Sequence, residues 1–243
     1  MLFVGGCGRL DFDPRGLASD ATSDSPDSLT DGDLGIPGLI AWYPMDTVNP
    51  GGTPDATGHG HDAACLPAAC PAAIAGIHGG ALLFGGVNDH LGIPGAGFDL
   101  PLGTVATWFR LDTAPTAGNF VELFQRGYMN GPSSFEAGFV ATGQLLGCGG
   151  DAITQDYAET MWPSLGVWHH LGCVWDATTV TTYVDGIERS TNAFATAYDT
   201  HTLTLGANND NGSLSGFFQG GLDDFRVYDR ALTPQEITLL ATP

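Results

Sequence analysis

Short apolar runs bounded by turn-forming residues recur from residue 38 to the C-terminus, and this pattern constrains the fold more than any other feature. Runs of about four to eight residues between Gly, Asn, Asp and Pro are typical of β-strands. The 36 Gly and 15 Pro supply the turns. The predicted strands are 39–45, 81–84, 89–93, 104–111, 119–124, 134–141, 168–175, 179–184, 202–206 and 216–228. Many short strands predict an all-β fold, a two-sheet antiparallel sandwich or jelly roll.

One helix is predicted, at the end of the chain. Thr233 to Glu236 form a capping box with Pro234 at the first helical position, and apolar residues follow from Ile237. A helix of about two turns is unstable alone, so we expect it to pack on the sandwich. In 104–111 apolar residues occupy both faces, which predicts an inner strand buried on both sides.

The charge of the chain is strongly negative. Asp and Glu number 27 against 7 Lys and Arg, the net charge is −20, and lysine is absent. Nucleic acid is therefore excluded as a partner, because phosphate backbones require clustered positive charge. No stretch approaches the roughly 18 uninterrupted apolar residues that span a bilayer. We expect membrane attachment only through a lipid or a partner.

The N-terminal segment differs from the rest of the chain. Residues 1–7, MLFVGGC, resemble a bacterial lipobox, in which small residues precede a lipidated cysteine. A secretory signal needs about 7 to 15 apolar residues, so we interpret 1–7 as a truncated signal remnant with Cys7 as the lipidation site, the alternative being an incidental cysteine. Residues 8–37 are rich in Asp, Ser, Thr, Pro and Gly and are predicted to be a disordered acidic linker before the folded domain at 38–243. The protein is then exported, as an outer-membrane or cell-surface lipoprotein or otherwise extracellular.

The other four cysteines form an even set. Cys65 and Cys70 enclose a short loop that a local disulfide could close, whereas Cys148 and Cys173 lie in strand-like runs and could join neighbouring strands. The competing interpretation is a zinc half-site at Cys65 and Cys70, but no paired ligands follow at zinc spacing. Disulfides indicate an oxidising compartment, which agrees with export.

Several segments together carry a family resemblance. They are LIAWYPMD at 39–46, DATGHGHD at 55–62, GALLF at 80–84 with Asn88-Asp89, WHHL at 168–171 with YVDG at 183–186, and GLDDFRVY at 221–228 with RALT at 230–233. This ordered set resembles bacterial laminin-G-like (LamG-like) domains of the concanavalin A-like lectin/glucanase superfamily. The resemblance implies a two-sheet antiparallel jelly-roll sandwich with a short C-terminal helix over 38–243.

Catalytic patterns are absent from the sequence. Hydrolases of this superfamily that cut β-glucans carry three carboxylates on one strand as E-x-D-x-x-E, since retaining hydrolysis needs two carboxyls about 5 Å apart on one sheet face. Neither that motif nor a Gly-x-Ser-x-Gly elbow occurs. His169 and His170 are adjacent in a predicted strand and point to opposite faces, so they cannot share a metal. We therefore predict that the chain is not an enzyme.

Calcium is the cofactor that the resemblance implies. Related folds hold a structural calcium between the first strand region and the last, which here points to Asp46 and Asp223 as ligands. Calcium binds six to eight hard oxygens. The alternative for Asp223, at the edge of an apolar stripe, is a hydrogen-bonded aspartate that ends the stripe.

Ligand-binding candidates lie in two segments. Asn208, Asn209, Asp210 and Asn211 precede Gly212 and form either a hairpin turn or a ligand or calcium loop on the rim of the sandwich. In an acidic connection, Trp162 and Tyr157 are candidates for an exposed aromatic platform that stacks on sugar, with a core-plugging tryptophan as the alternative. Tyr128 is a weaker candidate.

Three functions remain open. The favoured hypothesis is a non-catalytic exported surface module that binds glycan with a structural calcium. The alternative is a protein-protein adhesion or scaffold module on the cell surface. The third is a glycoside hydrolase with an unrecognised site, for which two close carboxyls in a cleft would be the sign.

Overall fold

The strands and the helix account for most of the folded chain. The computed structural model describes residues 34–49, 51–116, 118–127, 135–150, 156–195 and 201–243. Cys7 and Tyr128 lie outside these residues. The strands are β1 (Leu39–Tyr43), β2 (Gly52–Thr53), β3 (Ala63–Ala64), β4 (Ala72–Ala75), β5 (Gly80–Gly85), β6 (Leu91–Ile93), β7 (Gly103–Leu111), β8 (Phe120–Arg126), β9 (Phe135–Val140), β10 (Leu145–Gly150), β11 (Asp156–Met161), β12 (Trp168–Trp175), β13 (Thr179–Val184), β14 (Ile187–Ala193), β15 (Leu203–Leu205), β16 (Asn208–Asp210), β17 (Ser213–Ser215) and β18 (Gln219–Tyr228). The α-helix is α1 (Pro234–Leu240), and a short 3-10 helix covers Thr142–Gln144.

Two antiparallel sheets contain all but two of these strands. Sheet A has the order β14-β13-β12-β7-β18-β5-β4, with β1 also paired with β18. Sheet B has the order β11-β10-β9-β8-β15-β6-β3-β2, and β16 pairs with β17 as a separate hairpin. Residues from Gly35 to Pro243 form one compact unit. The predicted all-β sandwich is confirmed.

The main core lies between the two sheets. Alternate residues of the facing strands supply its aromatic side chains, and Phe109 of β7 contacts Phe139 of β9 with ring centroids 5.5 Å apart. On the other face of β7, Ala106 belongs to a second buried cluster with Ile237 and Leu240 of α1. The prediction that 104–111 is buried on both faces is therefore confirmed.

Helix α1 covers the outer face of sheet A. The predicted capping box is present, because the Thr233 amide donates to Oε2 of Glu236 at 2.8 Å and the Glu236 amide donates to Oγ1 of Thr233 at 3.3 Å. At Gly172 of β12 a Cβ would lie 3.1 Å from Cγ2 of Ile237, so glycine lets the helix approach closely. No helix in the described ranges is long and apolar enough to cross a membrane. Sheet B has no such helical cover among the residues described.

The structure contains two disulfide bonds. Cys65 bonds to Cys70, and Cys148 of β10 bonds to Cys173 of β12 with Cα atoms 5.6 Å apart. Both predicted pairs are confirmed. The second bridge, however, joins sheet B to sheet A across the core, not neighbouring strands as expected, because both cysteines sit at inward-facing positions of their strands.

All the strands predicted from apolar runs are confirmed to within a few residues of their ends. The strands that were not predicted are short, exposed or rich in glycine. Strand β10 reads LLGCGG and β11 reads DYAETM, and neither has the apolar alternation that marks a strand. These two strands are central to the candidate site.

Candidate functional site

The outer face of sheet B presents three rows of side chains across β8 to β11. The pairing register places residues opposite one another, and their sequence neighbours point inward to the core. The first row is Gln125, Glu136, Gly149 and Tyr157; the second row is Glu122, Gly138, Gly147 and Glu159; and the third row is Phe120, Val140, Leu145 and Met161. Two polar rows thus lie beside one apolar row.

A cleft of about 300 Å³ lies over these rows. Its lining residues include Glu122, Glu136 and Glu159, with Phe120 and Val140 on the apolar side. A second hollow of about 440 Å³ shares Gly118, Asn119 and Phe120 with the first. The two hollows therefore adjoin and form an elongated groove, called the sheet B cleft below.

Glycines form the floor of the sheet B cleft. At Gly138 a Cβ would lie 2.5 Å from Oε2 of Glu122 and 2.6 Å from the backbone oxygen of Val121. At Gly147 a Cβ would lie 3.3 Å from Cγ of Glu159. The side chains of Glu122 and Glu159 thus extend from the two outer strands over the glycines of the central strands.

Glu122 is the most perturbed carboxyl of the site. Its Oε2 atom is inaccessible to solvent and has no hydrogen-bond partner. Burial raises the pKa of Glu122 well above its usual range, and the nearby carboxylates of Glu136 and Asp210 raise it further. The protonated form is therefore favoured relative to a glutamate in water.

Tyr157 and Glu136 form one wall of the cleft. The Tyr157 hydroxyl donates a hydrogen bond to Oε1 of Glu136 across β10, where Gly149 leaves room for the ring. At Gly149 a Cβ would lie 2.8 Å from Cδ1 of Tyr157. The glycines of β10 therefore hold the aromatic ring close against the sheet.

An amide network fixes the opposite wall. Nε2 of Gln125 donates to Oδ1 of Asn208 at 2.6 Å, and the Asn209 amide donates to Oε1 of Gln125 at 2.7 Å. Nδ2 of Asn208 donates to Oγ of Ser215 at 3.0 Å. These bonds anchor the β16-β17 hairpin on β8 and leave Asn208 in the lining of the cleft.

The amide-rich segment forms the hairpin turn, one of its two sequence interpretations. Asn211 and Gly212 form the hairpin turn, with φ of 50° and 90°. The side chain of Asn209 is used within the structure, since its Nδ2 donates to Oγ1 of Thr204 at 3.1 Å and its Oδ1 accepts from the Gly212 amide at 2.8 Å. The negative charge of Asp210 contributes to the raised pKa of Glu122 in the cleft.

Trp162 is not the exposed platform that we expected. It is half-buried and packs against the main core, with its ring edge-on to Phe139 at a centroid distance of 6.3 Å. Trp162 does not line the sheet B cleft. The aromatic residues that line its first hollow are Phe120, Phe139 and Tyr157. A tryptophan in a connection can close the edge of the sandwich as readily as face solvent.

The two predicted calcium ligands meet at one turn. Oδ1 of Asp46 accepts from the Gly80 amide at 2.6 Å, and Oδ2 of Asp223 accepts from the amides of Ile77 and His78 at 2.7 and 3.0 Å. Oδ1 of Asp223 is buried without a hydrogen-bond partner. Burial raises the pKa of Asp223 to about 6. In the described ranges, no three His, Cys, Asp or Glu side chains gather around a point that could hold a metal.

Sequence reasoning missed the carboxylates of the cleft. Glu122, Glu136 and Glu159 lie on different strands, and only the register of β8 to β11 brings them to one face. A search for carboxylates along one strand could not find them. The available signal was the alternation of FEAGFV in β9, which places Glu136 and Gly138 opposite to Phe135, Ala137 and Phe139.

Comparisons with known proteins agree with this fold. Residues 84–238 match the Laminin_G_3 family model, described as the Concanavalin A-like lectin/glucanases superfamily. No curated protein matches the sequence significantly.

Solved structures resemble the chain at low identity. Domain 4 of AbnA, a GH43 extracellular arabinanase from Geobacillus stearothermophilus in complex with arabinotriose, is 22% identical, with a TM-score of 0.66 over 84% of this chain and 98% of that one. The binding domain of Paraclostridial Mosquitocidal Protein 1 is 12% identical, with a TM-score of 0.63 over 84% of this chain and 52% of that one. Trypanosoma rangeli sialidase in complex with sialic acid is 16% identical, with a TM-score of 0.64 over 85% of this chain and 33% of that one. This chain spans most of the arabinanase domain, about half of the mosquitocidal binding domain and a third of the sialidase chain.

Proposed function

The chain belongs to the Laminin_G_3 family of the concanavalin A-like lectin/glucanases superfamily. We propose that it is a non-catalytic carbohydrate-binding module whose site is the sheet B cleft. The observation that carries the proposal is the row of apolar side chains beside two rows of polar ones. A sugar ring has an apolar face and a hydroxylated edge. Phe120 and Val140 would contact the face, and Glu122 and Glu159 would bind the hydroxyls.

The relatives support the class of ligand. The arabinanase domain was solved with arabinotriose and the sialidase with sialic acid, and both contain the same fold. The size of the cleft is also suitable, because small-molecule sites commonly have volumes of about 300 to 1,000 Å³. The adjoining hollow extends the site along β8 and would accommodate more than one sugar unit.

Binding is tested with the full chain on a panel of soluble polysaccharides by affinity electrophoresis. We expect at least one polysaccharide to retard the wild type, and Phe120→Ala to abolish the retardation by removing the apolar contact. Glu188→Gln is a matched surface control, since Glu188 is exposed on β14 of sheet A. Retardation that persists in Phe120→Ala would place binding elsewhere.

A specific observation favours a second function, glycoside hydrolysis. Glu122 and Glu136 are close enough for their charges to interact, and burial raises the pKa of Glu122, as a general acid requires. Glu136 already accepts a hydrogen bond from the Tyr157 hydroxyl. Release of new reducing ends from a bound polysaccharide, lost in Glu122→Gln, would establish hydrolysis and exclude the purely binding role.

A partner protein is the remaining alternative. An adhesion or scaffold module would bind through an extended apolar patch. The exposed apolar side chains Val140 and Met161 lie in the third row, at one end of sheet B. Because they adjoin the carboxylates, we favour sugar over protein at this face.

Export and lipid attachment at Cys7 are also proposed. The two disulfides support an oxidising compartment. The acidic residues 8–37 would act as a tether between the lipid and the domain. Lipidation is tested by detergent partitioning of protein that is expressed behind a complete signal sequence.

A structural calcium at Asp46 and Asp223 remains a proposal. The unpartnered Oδ1 of Asp223 supports it, because a buried carboxylate oxygen needs a hydrogen-bond donor or a cation. The amide hydrogen bonds to both side chains count against a full set of calcium ligands, so backbone carbonyls and water would have to complete the six to eight oxygens. Such an ion would tie β18 to the chain that follows β1.

A further inference from the structure

We propose that the sheet B cleft selects a glycan that carries protonated amines, such as one built of glucosamine residues, and that Glu122 and Glu159 bind the ammonium group from opposite sides of the glycine floor. This inference rests on the proposed function, because it names the class of sugar for the same site. It requires that the cleft contain acceptors and no competing cation.

The charges around the cleft support a cationic ligand. Glu122, Glu136 and Glu159 line it, and the charge of Asp210 acts on Glu122. No arginine or histidine is among the described residues that line either hollow, and the chain contains no lysine. A neutral sugar would leave this concentration of negative charge in place, whereas an ammonium group would offset it.

The donor and acceptor chemistry also matches an ammonium group. An ionised carboxylate only accepts hydrogen bonds, whereas an ammonium group offers three donors and no acceptor. Burial raises the pKa of Glu122, but an ammonium group bound beside it lowers that pKa again, because a nearby positive charge favours the ionised carboxylate. Oε2 of Glu122 is buried without a partner and lies over Gly138. The carbon chain of Glu159 lies over Gly147, the strand neighbour of Gly138. The two side chains thus approach a common space from β8 and β11.

A metal ion fits this space less well than an organic cation. Within the described part of the chain, no group of three or more His, Cys, Asp or Glu side chains could hold a metal. Calcium would require six to eight oxygens. A metal ion would make no use of the apolar row that contains Phe120 and Val140, whereas the ring of an amino sugar could pack against it.

The apolar row also favours an amino sugar over a lysine side chain as the ligand. A flexible lysine of a peptide could place its ammonium between the carboxylates but would not cover a flat apolar row. A pyranose ring presents a rigid apolar face directly beside its amino group. We therefore infer an amino sugar, and a lysine peptide serves as a comparison in the test.

The test measures binding of matched hexasaccharides to the full chain by isothermal titration calorimetry. Chitosan hexamer, fully acetylated chitin hexamer and cellohexaose differ only in the group at C2 of each sugar unit, which is an amine, an acetamide or a hydroxyl. A hexalysine peptide is the fourth probe. Below the pKa of the sugar amine, we expect chitosan hexamer to bind about tenfold or more tightly than the other two sugars, as charge-assisted hydrogen bonds are stronger than neutral ones. The preference should decrease as salt is raised.

Variants separate a specific site from general attraction to an acidic chain. Glu122→Gln keeps the shape of the side chain and should reduce the preference for chitosan over cellohexaose to about twofold or less. Glu188→Gln removes the same charge from an exposed position on sheet A and should preserve the preference. The melting temperature of each variant shows that it is folded.

The outcomes distinguish the two proposals. Equal binding of all three hexasaccharides would overturn the amino-sugar inference and leave the carbohydrate-binding function standing. No binding of any hexasaccharide, or binding of hexalysine alone, would overturn the amino-sugar inference, and the polysaccharide panel described above would then decide whether the carbohydrate-binding function stands. Equal losses in Glu122→Gln and Glu188→Gln would show general electrostatic attraction and would also overturn the inference.

Discussion

Filling the glycine floor provides a structural test of the sheet B cleft. Gly138 and Gly147 are direct neighbours on β9 and β10, and neither has a positive φ, so valine fits the backbone at both positions. Their surroundings differ. A Cβ at position 138 would lie 2.6 Å from the backbone oxygen of Val121, which cannot move without displacing β8, whereas at position 147 its nearest neighbour is Cγ of Glu159 at 3.3 Å.

The two substitutions should therefore differ in stability. Overpacking against rigid backbone costs about 1 to 3 kcal/mol, so Gly138→Val should lower the free energy of unfolding by that amount and the melting temperature by about 3 to 10 °C. At Gly147 the exposed Glu159 side chain can move, and the higher strand propensity of valine, up to about 1 kcal/mol, offsets the crowding. Gly147→Val should thus change stability by less than about 1 kcal/mol.

Urea denaturation and calorimetry measure both values, and titration with chitosan hexamer measures binding. We expect Gly147→Val to be folded and unable to bind, since its side chain occupies the cleft floor. If Gly147→Val destabilises the protein as much as Gly138→Val, the packing described for the floor is incorrect. A Gly147→Val protein that binds as the wild type does would show that the cleft is not the site.

Three other predictions concern the rest of the fold. Burial raises the pKa of Asp223 to about 6, so the stability from its protonated form is present below its unfolded pKa and is lost as pH rises through about 6. With a chelator present, the free energy of unfolding of the wild type should fall by about 3 kcal/mol as pH rises from about 4 to about 6, and that of Asp223→Asn should not. The calcium proposal predicts that calcium raises the melting temperature of the wild type and leaves that of the variant unchanged. Ile237→Ala should lower the free energy of unfolding, measured by urea denaturation, by about 2 to 5 kcal/mol, because Ile237 is buried against sheet A. Leu239 is 46% exposed, so Leu239→Ala should lower it by less than about 1 kcal/mol, and equal losses would contradict the packing of α1. Protein expressed with a complete signal sequence should partition into detergent, and Cys7→Ser should stay in the aqueous phase; identical partitioning would refute lipidation.

Local patterns in the sequence predicted most of the fold. Strands with apolar alternation, such as 168–175, were found because each residue's environment is decided by its immediate neighbours along the chain. The capping box of α1 is local in the same way. Strand β10 was missed because Gly147 and Gly149 have no side chain to show alternation.

The site was harder to predict because it depends on register. Glu122 meets Gly138 only because β8 pairs with β9 in one register, and Glu159 meets Gly147 only because β11 pairs with β10. A shift of one residue in either pairing would turn these side chains into the core. No local pattern contains that information. The third hypothesis, a hydrolase, was set aside for lack of a motif, yet the register places Glu122 and Glu136 on one face of sheet B, where the charge of Glu136 raises the pKa of Glu122.

We propose that the open face of sheet B binds carbohydrate. The most direct measurement is affinity electrophoresis of the full chain, as wild type and as Gly147→Val, through gels that contain chitosan, arabinan or a neutral glucan. Our expectation is that at least one polysaccharide retards the wild type and leaves the mobility of Gly147→Val unchanged. Equal mobility of the wild type with and without every polysaccharide, or equal retardation of both proteins, would contradict it.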